Sequence, residues 1–290
     1  MGRYLHVACI QVNSGTEIAD NLHVACDLAR RARASGAEFI CLPENVASVR
    51  QGRAAILETA FEENAHPALG AFKSLAAEIG VPVLAGTLPV LVPEEGGERA
   101  AARSFLIGPS GAILAYYDKI HMFDVDLPDG ETYRESATYR PGSRAVVADI
   151  PQARIGLSVC YDVRFAYLYR ALAQAGAEIL TVPAAFTRQT GEAHWHTLLR
   201  ARAIETGCFV VAPAQTGTHD QGRQTYGHSL IVDPWGRVLA DGGTEPGVVA
   251  ASIDLGEVAK ARAAIAALKH DRPLGPVELA TDSPLKAAVG

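Results

Sequence analysis

The 290-residue sequence predicts an α/β fold of two packed sheets with helices on their outer faces. Three observations point there. Short apolar runs of strand length alternate with longer segments whose apolar residues recur at helical spacing. Residues 29–44 (A-R-R-A-R-A-S-G-A-E-F-I-C-L-P-E) and 169–184 (Y-R-A-L-A-Q-A-G-A-E-I-L-T-V-P-A) share one plan of helix, Gly-Ala-Glu turn, apolar strand and proline, as two related αβ layers would. No linker-like shift in composition divides the chain, so one domain is expected.

The elements follow in order. Val7–Val12 reads as a strand, and Ile18–Ala34 as a helix stopped by Ser35-Gly36. Glu38–Leu42 is a strand closed by Pro43. Residues 54–79 read as helical with a break at His66-Pro67, and V-P-V-L-A-G-T as the next strand. Residues 93–99 form a polar turn, and S-F-L-I-G-P-S-G-A-I-L-A-Y-Y-D-K a hairpin around Pro109-Ser110-Gly111. Residues 121–145 read as a long polar loop, and loops of that length in compact domains usually carry function. Ile155–Val159 is a buried strand ending at Cys160, followed by a helix closed by Gly176, with Asp162 as its expected N-cap. A strand in G-A-E-I-L-T-V-P-A-A-F and a helix over 194–205 come next, the latter with Leu198, Leu199 and Ala203 as core. Strands in C-F-V-V-A-P-A, H-S-L-I-V-D-P and V-V-A-A-S-I-D follow, the P-W-G-R turn among them. The proline-broken last 25 or so residues read as an extended tail.

Composition narrows the class. Hydrophobic residues at 49% and charged residues at 20% predict a large core and exclude disorder. A formal net charge of −6 offers no basic footprint for nucleic acid. No apolar stretch approaches the roughly 20 residues a membrane-spanning helix needs. The N-terminus lacks the apolar core of a signal peptide, and His6 stands where myristoylation wants Ser or Thr, so a cytoplasmic location is expected. The five cysteines contain no C-x-x-C pair, which argues against disulfides and thiolate zinc. Cys9, Cys26, Cys41 and Cys208 lie in apolar or alanine-rich runs and read as core filler.

Cys160 stands between a strand's end and a helix's start, where N–H groups and the helix dipole favour a thiolate. On that segment alone it is equally a nucleophile or one more buried residue. Glu44 and Lys119 also stand just past strand ends, where α/β ligand sites collect. Together they would make a usable set: Glu44 takes the thiol proton, Cys160 attacks a carbonyl carbon, and Lys119 neutralises the oxyanion. Taken singly, Glu44 reads rather as an exposed loop acid and Lys119 as a surface charge after a strand. His121, His194 and His196 lack a third ligand at usable spacing, so no metal is expected.

L-P-E, Y-Y-D-K-I-H-M-F-D and G-L-S-V-C-Y-D-V-R-F, in this order, resemble the three signature segments of the nitrilase superfamily of carbon–nitrogen hydrolases. The likeness continues through P-A-A-F-T-R-Q-T-G-E-A-H-W, L-L-R-A-R-A-I-E and Y-G-H-S-L-I-V-D-P-W-G, and is greatest to the Nit-type amidases. The resemblance implies a four-layer α-β-β-α sandwich over residues 1–265, with a tail at 266–290 reaching a partner in a homodimer. It implies Glu44 as general base, Lys119 as oxyanion cation, Cys160 as nucleophile and a second glutamate, best matched by Glu135 rather than Glu131. The Tyr161 N–H is the expected oxyanion donor. Phe186, Thr187 and Trp195 are expected to line the pocket, and Arg164 either meets a substrate carboxylate or pairs with Asp162. Where the pattern commonly has glutamate after His194-Trp195, this chain has His196. Phe123 is expected simply to pack. No cofactor is implied. The expected substrate is a small carboxylate-bearing amide, such as an omega-amide of a 2-oxo acid or deaminated glutathione. An N-carbamoyl amino acid or a nitrile is the alternative, and a non-catalytic scaffold or a thiol sensor the readings from other classes.

Overall fold

In the computed structural model, which describes residues 2–92, 99–127 and 130–276, the chain opens with β1 (Tyr4–Gln11) and α1 (Ile18–Ala34). Helix α1 buries Ala25, Leu28, Ala29 and Ala32, one stripe at the helical period, and stops where Gly36 adopts φ 99°. Next come β2 (Phe39–Cys41), α2 (Arg53–Leu57), α3 (Pro67–Ile79), β3 (Val83–Leu84), β4 (Leu88–Val92), β5 (Arg99–Ile107) and β6 (Ile113–Asp118). Then follow β7 (Asp124–Asp126), β8 (Thr132–Arg134), β9 (Val146–Asp149), β10 (Arg154–Leu157), α4 (Ala166–Gln174), β11 (Ile179–Thr181) and α5 (Arg188–Thr206). The chain continues through β12 (Phe209–Ala212), β13 (Thr216–Thr218), β14 (Gln224–Tyr226), β15 (Leu230–Val232), β16 (Val238–Asp241), β17 (Gly247–Asp254) and α6 (Gly256–Ala264).

These form a four-layer α-β-β-α sandwich. One sheet runs β17-β1-β2-β3-β5-β4, with β6 also on β5, and the other runs β16-β15-β12-β11-β10-β9. Each is parallel at its centre (β1-β2-β3 and β10-β11-β12) and antiparallel at its margins. The pleat sorts β1 between two cores. Leu5, Val7 and Cys9 join residues of the second sheet, while Ala8 and Ile10 face α1 and α3. Helices α4 and α5 cover the second sheet's other face. Each fully buried Leu, Ile or Val contributes about 1.5–3 kcal/mol, so a charge at Val7 would break both layers at once. Cys9, Cys26, Cys41 and Cys208 are buried and unpaired, as filler should be. Among the described residues no helix is long and apolar enough to cross a membrane.

Several elements depart from the sequence reading. Residues 54–79 are three pieces, α2, a 3₁₀ turn at Glu63–Ala65 and α3, because Phe61 is captured by β4 through backbone bonds with Pro89 and Leu91. Strand β4 is an addition to the sequence reading; it tolerates Pro89 because it ends its sheet, with only the bridge to Phe61 beyond it among the described residues. The polar loop at 121–145 contains the β7–β8 hairpin and a 3₁₀ turn at Glu135–Ala137. Helix α5 starts at Arg188, six residues before the expected 194, and the β13–β14 hairpin and α6 are additions. The expected turn at 93–99 lies outside the described residues except for Arg99, which begins β5. Of the tail, residues 267–269 make a 3₁₀ turn, and Arg170 and Gln174 of α4 bond to Asp271; residues 277–290 lie outside the described residues.

Candidate active site

The two sheets bring four side chains to one place. Glu44 follows β2, Lys119 follows β6, Cys160 follows β10, and Glu135 opens the 3₁₀ turn after β8. Lys119 Nζ donates to Glu44 Oε1 at 2.9 Å and to Glu135 Oε1 and Oε2 at 2.8 and 2.9 Å. Glu44 Oε2 accepts the Ala185 N–H at 2.7 Å, and Glu135 Oε2 accepts the Phe123 N–H at 2.6 Å. Gln215 Nε2 donates to the carbonyls of Glu44 and Asn45, and the Lys119 backbone bonds Ala102 and Gly142. Every reactive group is therefore fixed by bonds from a neighbouring element, which is how a site holds its geometry. The rival glutamate, Glu131, turns away to Tyr133 Oη.

The charges in this group set one another's proton affinity. Burial pushes the Glu44 carboxyl up, but the Lys119 ammonium and bonds from Cys160 and Ala185 overcome it, so Glu44 stays below the usual carboxylate range. Burial, with the repulsion of Glu44, leaves Glu135 above that range despite Lys119. Burial alone would lower Lys119, yet Glu135, Glu44 and Cys160 hold it well above its ordinary value, and hence charged. Burial first, then the Glu44 carboxylate, push the Cys160 thiol well up, with Lys119 opposing. This corrects the expectation of a resting thiolate. The free site thus favours a neutral thiol beside an ionised glutamate, which places a proton acceptor next to the sulfur.

The turn carrying Cys160 also differs from expectation. Cys160 has φ 46°, a left-handed conformation costing a non-glycine residue about 1–3 kcal/mol. It opens a 3₁₀ turn, Cys160–Arg164, that separates it from α4. Asp162 therefore does not cap α4, whose N-cap is Phe165. Buried, Asp162 accepts the Val159 N–H at 2.8 Å, Tyr117 Oη at 2.7 Å and the His121 N–H at 3.1 Å, with His121 Nδ1 at 2.6 Å. The carboxylate ties the Cys160 turn to the segment after Lys119 from within. The Cys160 N–H is committed to Pro183 O at 2.9 Å, so it is the Tyr161 N–H that remains as the candidate backbone donor expected from the sequence.

Residues 6–263 match the family described as carbon-nitrogen hydrolase. The chain belongs to that family. Among its relatives, deaminated glutathione amidase of Synechocystis is 43% identical over 91% of this chain and 96% of its own. Human omega-amidase is 35% identical over 92% and 94%. The nematode NitFhit protein superposes with a TM-score of 0.85 at 34% identity, covering 94% of this chain and 66% of that one. This carbon-nitrogen hydrolase is thus an enzyme acting on carbon–nitrogen bonds other than peptide bonds.

Glu44, Lys119, Glu135 and Cys160 open onto a cavity of about 400 Å³, which Tyr161, Phe186 and Thr187 also line, as expected. Two expected lining residues lie elsewhere. Trp195 is wholly buried behind Phe186, with ring centroids 4.9 Å apart, and its indole N–H donates to His228 O. Arg164 is not among the lining residues and does not pair with Asp162: its guanidinium lies over the rings of Tyr161 and Phe186, 5.8 and 5.6 Å from their centroids, and reaches His194 Nδ1 at 3.3 Å. His194 and His196 diverge, since His196 Nε2 meets Asp241 Oδ2 at 3.0 Å. Phe123 packs on Tyr133 and Tyr161 and also borders the cavity. Arg223, absent from the sequence reading, lines the cavity. Its guanidinium donates to Ala185 O at 2.7 Å, while its Nε–H is buried with no acceptor among the described residues. A lone arginine in the polar turn T-H-D-Q-G-R-Q-T carries no sequence signal of that placement.

Proposed function

We propose that this carbon-nitrogen hydrolase is an amidase that cleaves a small carboxylate-bearing amide through a thioester on Cys160. The observation that carries the reading is the convergence of Glu44, Lys119 and Glu135 on Cys160 in one cavity. Glu44 takes the thiol proton as sulfur attacks the amide carbon, and the oxyanion rests on Lys119 and the Tyr161 N–H. Glu44 then returns the proton to the departing nitrogen and the C–N bond breaks. A water, losing its proton to Glu44, hydrolyses the thioester, and the acid leaves with the thiol restored. Glu135 positions Lys119 rather than reacting.

Arg223 supports the choice of substrate. A buried guanidinium N–H with no acceptor among the described residues, on a side chain that lines the same cavity as Cys160 and is held by Ala185 O, suits a carboxylate. The relatives' names agree, since deaminated glutathione and omega-amides of 2-oxo acids are amides bearing carboxylates. The protein acts as a homodimer, paired through the outer face where Ile204, Trp235 and Ile265 stand exposed. Five unpaired cysteines suit a reducing cytoplasm, which cell fractionation checks.

The test is acid release from deaminated glutathione, 2-oxoglutaramate, an N-carbamoyl amino acid and a nitrile. Wild type, Cys160→Ala and Arg223→Gln are compared. Turnover of a carboxylate-bearing amide that vanishes in Cys160→Ala is expected. Arg223→Gln should raise KM for that amide about 10- to 100-fold, the worth of a charged hydrogen bond. Turnover of the nitrile or carbamoyl compound alone, or an active Cys160→Ala, would overturn the reading.

A further inference from the structure

A second group of ligand-type side chains lies outside the catalytic cavity. His196 is on α5, His228 precedes β15, and Asp241 ends β16. Asp241 bridges the two rings: Oδ2 lies 3.0 Å from His196 Nε2 and Oδ1 2.8 Å from His228 Nδ1. One ligand atom from each residue lies within 4.8 Å of the others. None of the three lines the cavity at Cys160.

We propose that His196, His228 and Asp241 bind one divalent transition ion of the zinc class. Two imidazole nitrogens and a carboxylate oxygen suit zinc, cobalt or nickel, whereas magnesium and calcium prefer all-oxygen sets. Zinc bonds of about 2.0–2.2 Å put neighbouring ligand atoms roughly 3–4 Å apart. A small rotation of side chains that are only half-buried closes the gap. Three protein ligands leave a coordination position for water.

The surroundings orient the ligands as an outer shell does. The Gly243 N–H donates to Asp241 Oδ1 at 2.9 Å, and Tyr226 stacks on His228 with centroids 4.4 Å apart. His228 has φ 53°, and its backbone is clamped there by Gly243 O at 2.7 Å and the Trp195 indole at 2.8 Å. A strained backbone held from both sides to present an imidazole is a feature that simple packing does not call for.

Since Cys160 is itself a metal ligand, the test uses full-length Cys160→Ala, stripped with a chelator. It is titrated with Zn²⁺ by calorimetry and with Co²⁺ by visible absorption. One equivalent of each is expected to bind, with the intense bands of low-coordinate cobalt. Adding His196→Gln, a change on the protein's surface, should weaken binding at least 10-fold, and Asp241→Asn should do the same. No binding by Cys160→Ala, or equal affinity with and without His196→Gln, would overturn the proposal.

Discussion

Glu44 serves Cys160 in two opposed ways. In the proposed mechanism its carboxylate is the base that accepts the thiol proton, while its charge also favours the proton on sulfur in the free site. After burial, the nearby Glu44 charge is the largest influence raising the thiol, and Lys119 is the one opposing it. Glu44→Gln removes the repulsion and leaves the ammonium. The Cys160 pKa must then fall, so the thiolate forms at lower pH than in wild type while amide hydrolysis drops about 10²–10⁴-fold for want of a base. The rate of Cys160 alkylation against pH, read on the Cys160 peptide by mass spectrometry, measures this apart from the other cysteines. An alkylation profile at the same pH as wild type, or a higher one, would show that the carboxylate does not set the thiol's proton affinity.

At the scale of elements, the site depends on how closely strand ends approach one another. Gly86, just past β3, has φ 51°, and a Cβ there would lie 1.8 Å from Pro43 O. Its neighbour Thr87 accepts the Asn45 N–H on Oγ1 at 2.9 Å, so the turn bearing Glu44 rests on this pair. Gly86→Ala must push Pro43–Asn45 away and draw Glu44 off Lys119. A displacement near 1 Å costs about 10²-fold in rate, so kcat should fall by that order even where circular dichroism and melting show a folded chain. Thr87→Val, which loses one bond without the clash, should fall much less; wild-type kcat in Gly86→Ala would refute the account. What was legible in the sequence has the same local character. The spacing of Ala25, Leu28, Ala29 and Ala32 marks α1, and the ordered segments at Glu44, Lys119 and Cys160 mark strand ends. Asp162 was misread because its partners, Tyr117 and His121, come from another strand end. Trp195 was misplaced because which way a side chain turns from α5 depends on packing partners remote in sequence. Arg223 and the Asp241–histidine cluster were invisible for the same reason: each is assembled by contacts between segments that share no pattern.

For the whole molecule, the sandwich leaves its two helical faces unequally covered. Ile204 on α5, Trp235 in the turn before β16 and Ile265 after α6 are 53%, 57% and 59% exposed, and together they border one groove. Apolar groups clustered in this way have a hydration cost that a second copy removes by presenting the same surface, which gives a closed two-fold pair. A chain of 30.6 kDa should therefore travel as a particle of about 61 kDa, twice that mass, in light scattering after size exclusion at micromolar concentration. Trp235→Asp places a charge at the rim of the groove, where it would be desolvated without a partner, and should shift the particle to the monomer mass. Because Trp235 is more than half exposed, the monomer should still fold, and its melting temperature then depends less on concentration than that of wild type. Wild type at 30.6 kDa would place the pairing face elsewhere or remove it, and an unaltered dimer in Trp235→Asp would move the contact off this groove.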